Sequence, residues 1–385
     1  MRTVIPIEKD APETVRGFLR QLLEAQVVDA LLVPIRTRAG TVTPALVTDP
    51  GLLEQADPLA PVMGVNAARA ASWCTAPGYV SPSESAGGRI GAVLRPCELR
   101  ALVELVKLQQ ADLDALVTIG VDCLGTYDVS TYTAMQDNGG MDTAALLVTA
   151  QDGELSPQGG YAFRDACQMC ERPHVEKADI VLELFGADLT NGIPVTLPDE
   201  VAGKVWAGAD SLPAKENEQR DSVVEKVVAA RTQVRDERFA EMRQRLDEET
   251  IEGVMAACVR CHNCMEICPI CYCKACLFKS PTFDHEPAKY MEWAKHKGAY
   301  QLPADTMLFH LTRLNHMGLS CVGCGMCTSG CMADLPVGLV FRTIGQKVQA
   351  EFDYVPGRDV EEPLPMITFD EEEWMEEGEE QGPSG

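Results

Sequence analysis

No apolar run in this chain of 385 residues approaches the roughly 20 residues needed to span a bilayer, so no membrane span is expected. Basic residues are scarce as well: 33 Lys and Arg stand against 58 Asp and Glu, for a formal net charge of −25. Phosphate recognition needs cations to displace counterions, and this balance argues against nucleic-acid binding. The start around Glu8, Asp10 and Glu13 lacks a basic, apolar leader, which sets the expectation of a cytoplasmic, reducing location. Much of the acidity is concentrated in DEEEWMEEGEE, Asp370 to Glu380, which reads as a solvated, disordered tail. No GxGxxG follows any predicted strand, so the usual dinucleotide fingerprint is missing.

What the chain does have is sixteen cysteines, gathered in short groups instead of spread as a disulfide framework would spread them. Metal ligation is the default reading. The length calls for two folded parts, each with its own core. We expect an α/β N-terminal domain (1–210) with a mixed or parallel sheet and helices, and a helical connector (211–257). A mainly α-helical ferredoxin domain (258–350) and an extension (351–385) follow.

In the first half, Val15, Phe18, Leu19, Leu22 and Leu23 keep the spacing of one buried helical face. The runs Val27 to Val33, Val42 to Val47, Ile90 to Leu94 and Leu116 to Val121 read as strands, and Cys97 to Leu108 as a helix. Cys97 and Cys123 each follow a strand, and parallel sheets gather ligands at the carboxyl ends of their strands, so the two thiols are expected at one sheet edge. Cys167 and Cys170, at CxxC spacing, offer two more. Four such thiolates suit a cubane, and structural zinc stays open for the same set. Cys74 stands apart and reads as structural.

From Lys215 to Val259 the chain has no proline and only Gly253, and predicts a long helix with Val223, Val227, Val228, Val234, Phe239 and Met242 along one side. Beyond it, CVRCHNCMEICP holds Cys258, Cys261, Cys264 and Cys268, and CVGCGMCTSGC holds Cys321, Cys324, Cys327 and Cys331. In a run of this spacing three thiolates hold one cubane and the fourth reaches across to the other, so two runs imply two [4Fe-4S] centres. Cys258, Cys261 and Cys264 pair with Cys331, while Cys321, Cys324 and Cys327 pair with Cys268. The 52 residues between the runs include a helical stretch, Met307 to Leu314, which points to a helical ferredoxin type. The module resembles the iron-sulfur subunits of heterodisulfide reductase and fumarate reductase, with Met332 where a proline is expected. Cys271, Cys273 and Cys276 read as packing that tunes a neighbouring centre through sulfur hydrogen bonds. His310, Arg313 and His316 would raise a nearby centre's potential, and core packing explains them equally. His262 is expected to hydrogen-bond near a centre, and His174 is isolated.

RPCELRA, IGVDCLGTY and CQMCERPHVEKADI, in that order, make residues 15 to 186 resemble the beta subunits of F420-reducing hydrogenases and related formate dehydrogenases. The resemblance implies a [4Fe-4S] cluster on Cys97, Cys123, Cys167 and Cys170, for three clusters in all, and an FAD nearby. Such subunits exchange a hydride with a deazaflavin or nicotinamide and pass single electrons to a catalytic partner: a formate dehydrogenase, a hydrogenase or a heterodisulfide-reductase-like protein. Candidate flavin contacts are Gly40 and Thr41 in RAGTVTPAL, which departs from the Gly- and Ser-rich turn of relatives, Asn66 as a helix cap, and Arg95. A flavin-free wiring subunit and a free-standing reductase of an organic substrate are the other readings. No side chain is expected to act as a general acid or base.

Overall fold

The computed structural model describes residues 1–7, 9–75, 88–138, 142–206, 215–299 and 305–365. The acidic stretch from Asp370 lies outside the described residues. In chain order the strands are β1 (Arg2–Pro6), β2 (Ala30–Arg36), β3 (Val42–Val47), β4 (Ile90–Leu94), β5 (Leu116–Val121), β6 (Ile180–Leu182) and β7 (Gly192–Thr196). They form one sheet in the order β1-β7-β6-β5-β4-β2-β3. Its centre, β2, β4, β5 and β6, is parallel, and antiparallel β3 on one side and β7 with β1 on the other finish the edges. The mixed α/β sheet is as the sequence predicted.

Around this sheet lie α1 (Ala11–Glu24), α2 (Ala68–Thr75), α3 (Pro96–Lys107), α4 (Val129–Asp137), α5 (Thr143–Asp152), α6 (Asp165–Gln168) and α7 (Asp199–Val205). Alternation along the strands sorts the side chains onto two faces. Val93, Ile119 and Val121 point into a core with Phe18 and Leu22 of α1, whereas Ile90, Ala92 and Leu94 point into a second core with Leu99, Leu102 and Leu105 of α3. Asp10 caps α1 through a 2.7 Å bond from the Glu13 amide, with Pro12 in the first turn.

The helix α8 (Lys215–Val254) joins the two halves. Val224 and Val227 are buried in the first sheet core, and Met242 is buried in the core of the helical module. One buried stripe thus rests on both bodies. The helix breaks at Thr250, which takes φ +62°, and ends before the predicted Val259. The module adds α9 (Asn263–Glu266), α10 (Pro287–Lys297), α11 (Thr306–Met317), α12 (Met326–Ser329) and α13 (Val337–Glu351). After α13 the chain returns to the sheet domain, where the Tyr354 hydroxyl and the Gly357 amide both donate to the buried Glu104 of α3 at 2.6 and 2.8 Å.

Candidate metal centres

The first site is assembled by topology. Strands β4 and β5 are adjacent and parallel, with Leu94 opposite Gly120, so Cys97, in the first turn of α3, and Cys123, just past β5, leave the sheet at the same end. The loop after Cys123 is pinned by Asp122, fully buried, which accepts from the Val175 and Leu184 amides at 2.9 Å and is ion-paired to Arg220 of α8. The amide of Cys123 donates to the Pro173 carbonyl at 2.8 Å, and that of Arg164 to the Thr126 carbonyl at 2.9 Å, which brings Cys167 and Cys170 over the sheet edge. Burial drives the Cys97 thiol well above its ordinary pKa, and Glu98, Cys324, Cys123 and Cys170 add to the rise. Burial, with Cys167 next, pushes Cys123 up to about 11. Cys167 moves the other way: burial opposes ionisation, but the Arg164 guanidinium and a 3.2 Å hydrogen bond with the Thr126 hydroxyl outweigh it. The four thiols therefore share one electrostatic environment, here called the proximal site.

The other two sites are assembled by local backbone. In both cysteine runs the second and fourth residues after the first cysteine take positive φ: Arg260 (+54°) and His262 (+60°) in one, Gly323 (+73°) and Gly325 (+71°) in the other. The runs therefore have the same backbone curl, and each ends in a short helix that carries the third cysteine, α9 or α12. Such a curl turns successive N–H groups inward, a concavity suited to anionic sulfur. The amide of Arg260 donates to Cys258, that of Gly323 to Cys321 and that of Met326 to Cys324. After burial, Cys331 and Cys261 are the thiols that raise Cys258, and Cys264 is pushed to about 11 by burial against the Arg313 cation, with Cys258, Cys331 and Cys261 adding to the rise. Cys324, at about 12, is raised by burial and then by Cys268 and Cys321. Cys268 also raises Cys327 and Cys321. The sets expected from the spacing are here called the middle site (Cys268, Cys321, Cys324 and Cys327) and the distal site (Cys258, Cys261, Cys264 and Cys331). Among the described residues no three His, Cys, Asp or Glu side chains close on a point that one metal ion could fill. The case for metal rests on which thiols face one another.

The sites lie in series. A Cβ on Gly325 would lie 2.2 Å from the Cβ of Ala166, beside Cys167. The two loops meet in direct contact because position 325 is glycine. At the far end Cys261 is exposed, flanked by exposed Val259 and Met332. Second-sphere contacts are dense. The His310 Nε2 lies 3.3 Å from Cys258, and the Arg313 guanidinium donates to Cys264 Sγ at 3.1 Å and to its carbonyl at 2.9 Å. Burial, then Arg313, holds His310 down to about 4. Of the three predicted α11 cations, His316 is exposed and points away. His262 stacks on Phe309 at 4.5 Å between centroids and makes no sulfur hydrogen bond among the described contacts. Burial and then Cys268 raise Cys271 to about 11, Cys276 packs at 3.9 Å from the Met265 sulfur, and Cys273 is exposed. Arg69 of α2 ties this stretch to the sheet domain through the carbonyls of Glu266 and Cys271, at 2.6 and 3.2 Å. Arg164 was not foreseen. It precedes Cys167 in FRDAC with no spacing that marks it, and its role comes from burial alone.

The flavin candidates are spread along the same sheet end. Gly40 forms the exposed turn between β2 and β3, and the hydroxyls of Thr37 and Thr41 are buried without a partner. Asn66 accepts from the Ala68 amide at 3.0 Å at the start of α2, leaving its buried Nδ2 unpartnered. Arg95 is committed to the Ala60 and Val62 carbonyls at 2.8 and 3.0 Å. A cleft of about 830 Å³ opens between the sheet domain and the helical module, bounded by Met63, Val129, Phe163, Met326, Thr328 and Arg342.

Four cysteines at the sheet edge thus adjoin a helical module that carries two further cysteine runs. No family model matches the chain. Over 300 residues it is 25% identical to the F420-dependent formate dehydrogenase subunit beta of Methanocaldococcus jannaschii, covering 70% of this chain and 74% of that protein. It is 24% identical over 316 residues to the F420-dependent formate dehydrogenase 1 subunit beta of Methanococcus maripaludis, covering 71% and 74%. A chain from the solved F420-reducing [NiFe] hydrogenase complex of Methanosarcina barkeri aligns with 62% of this chain and 91% of its own, at 12% identity and a TM-score of 0.40. The chain is thus similar in sequence to the beta subunits of F420-dependent formate dehydrogenases, which are oxidoreductase subunits.

Proposed function

We propose that this chain is an FAD- and iron-sulfur-dependent electron-transfer subunit. It would carry electrons between a hydride carrier of the F420 or NAD(P)H type and a catalytic partner such as a formate dehydrogenase, a hydrogenase or a heterodisulfide-reductase-like protein. The observation that carries this reading is the close approach of the sheet-edge cysteine loop to the second cysteine run, where a Cβ on Gly325 would lie 2.2 Å from the Cβ of Ala166, beside Cys167. Each tetrad suits a [4Fe-4S] cluster by its donor chemistry, and the inward amides of the curled runs suit anionic sulfur. When bound, a flavin would split a hydride pair into single electrons and the clusters would conduct them. The chain's residues hold these groups, exclude water and set potentials through burial and hydrogen bonds.

The unpartnered buried hydroxyls of Thr37 and Thr41, the Asn66 amide and the cleft beside Met63 and Val129 favour a flavin at the sheet end. Against Arg95 as a contact stands its commitment to two backbone carbonyls. We take the domain limits as 1–210, 211–257, 258–350 and 351–385. Among the described residues no helix is long and apolar enough to cross a membrane.

Anaerobic purification with iron, sulfide and flavin determination tests the proposal. About twelve irons with matching sulfide and one FAD, reducible by reduced F420, NADH, or formate with a catalytic partner, is the expected result. Twelve irons without flavin would leave the wiring role, and zinc without sulfide would overturn the reading.

A further inference from the structure

Two buried arginines lie against the cysteine sites. Arg164 donates from Nη1 to the Met326 sulfur at 3.2 Å and to the Ser329 hydroxyl at 3.3 Å, both on the α12 loop of the middle site. From Nε it reaches Thr126 Oγ1 at 2.9 Å, and from Nη2 it faces Cys167 Sγ of the proximal site at 3.7 Å. Arg313 donates to Cys264 of the distal site at 3.1 Å while its guanidinium lies over the Phe309 and Phe341 rings, 5.5 and 5.1 Å from their centroids. Both are almost fully buried, at 5% and 3% exposure, and among the described residues neither has a carboxylate within ion-pairing distance. The Nε of Arg313 has no hydrogen-bond partner. A buried cation left without a carboxylate is costly, and the partners that face these two are thiols. By contact, Arg164 touches the loops of both the proximal and the middle site, and Arg313 touches Cys264 of the distal one.

The middle site also has cations of a different kind. Arg342 faces Gly323 but is paired with Glu171 at 3.0 Å. Arg100 reaches the same junction half-buried, its guanidinium bound to the Val322 and Pro356 carbonyls at 3.3 and 2.9 Å. Only the first two combine deep burial, no carboxylate and contact with a cysteine.

We propose that Arg164 is a junction cation, placed between the proximal and middle redox sites so that its uncompensated charge raises the reduction potentials of both together, whereas Arg313 acts on the distal site alone. This inference rests on the iron-sulfur reading of the three tetrads.

The test is a redox titration of the full chain, purified anaerobically, followed by electron paramagnetic resonance, with iron and sulfide counted on each sample. Arg164→Gln is expected to lower the proximal and middle potentials and spare the distal one. Arg313→Gln is expected to lower the distal potential and spare the proximal one. About a tenfold change in each one-electron equilibrium, or ~59 mV, is expected. Arg164→Lys and Arg313→Lys keep the charge and should stay within about twofold of the parent. Arg342→Gln, whose charge is already paired, should move no site comparably. Unchanged potentials in the Gln chains, or one uniform shift of all three sites, would overturn the proposal. If a Gln chain loses iron, the Lys chain decides: parental potentials support the role of charge, and a shift at a site that the arginine serves overturns it. A parent chain without iron and sulfide would instead sink the underlying reading.

Discussion

The cysteines of the sheet edge and those of the helical module are positioned by opposite routes. The proximal site draws Cys97, Cys123, Cys167 and Cys170 from separate connections and depends on the sheet, on Asp122 with Arg220, and on Thr126 for its shape. The module sites draw three thiols each from seven consecutive residues whose curl is written into the local backbone, and borrow only the fourth. A site built by topology inherits the stability of its domain. A site built by curl inherits the permissiveness of a few φ angles.

Breaking the shared ligands should have the largest effect. Cys268→Ser and Cys331→Ser each remove the one thiol that a module site borrows from the other run, and about a third of the iron should be lost in each case, read by iron and sulfide analysis. Retention of all the iron would mean that the crosswise assignment is wrong.

Next in size is the scaffold of the proximal site. Arg220→Ala leaves the fully buried Asp122 unpaired, and about 3–5 kcal/mol of stability should be lost in denaturant unfolding. The distal signal should survive at denaturant concentrations where the proximal one is gone, because its curl does not use that pair. Loss of both signals together would erase the distinction between the two routes.

A smaller effect separates strain from contact. Gly298→Ala pays only for its φ of +80°, about 1–2 kcal/mol, because nothing lies within 4 Å. Gly325→Ala carries similar strain and also drives a methyl into Ala166, so electron exchange between the proximal and middle sites should slow as well, measured by rapid reduction followed optically. Equal behaviour of the two variants would show that the loop contact is not what sets the junction.

The smallest effect concerns pH. Burial holds His174 below its ordinary 6.5, against the pull of Glu176. The unfolded chain takes up this proton before the folded one does, so stability should fall as pH drops below 6.5 toward the folded value, and hold above it. His174→Gln should flatten that part of the stability curve, and a curve left unchanged would mean that His174 is not the group responsible.

The legible and illegible parts of the sequence divide along the same line. Strands β2 to β5, α1 and α3 announce themselves by long apolar runs with clear periods. Strand β6 is only Ile180–Leu182, and β1 pairs with β7 across almost the whole sheet domain, so no local signal marks either. The break at Thr250 places a β-branched residue at positive φ, which propensity would never select. His262 and Arg260 likewise hide the curl that Gly323 and Gly325 make plain in the second run. Arg164 is invisible because nothing about FRDAC says that its cation will be sealed between two loops.

The hydrogen bond from Tyr354 to Glu104 joins residues 250 apart in the chain. During synthesis at about 5–20 residues per second, the Glu104 carboxylate on α3 waits roughly 12–50 s for the partners that will cover it. The helix that carries Cys97 is therefore among the first elements made, and one face of it is covered only by residues that follow α13.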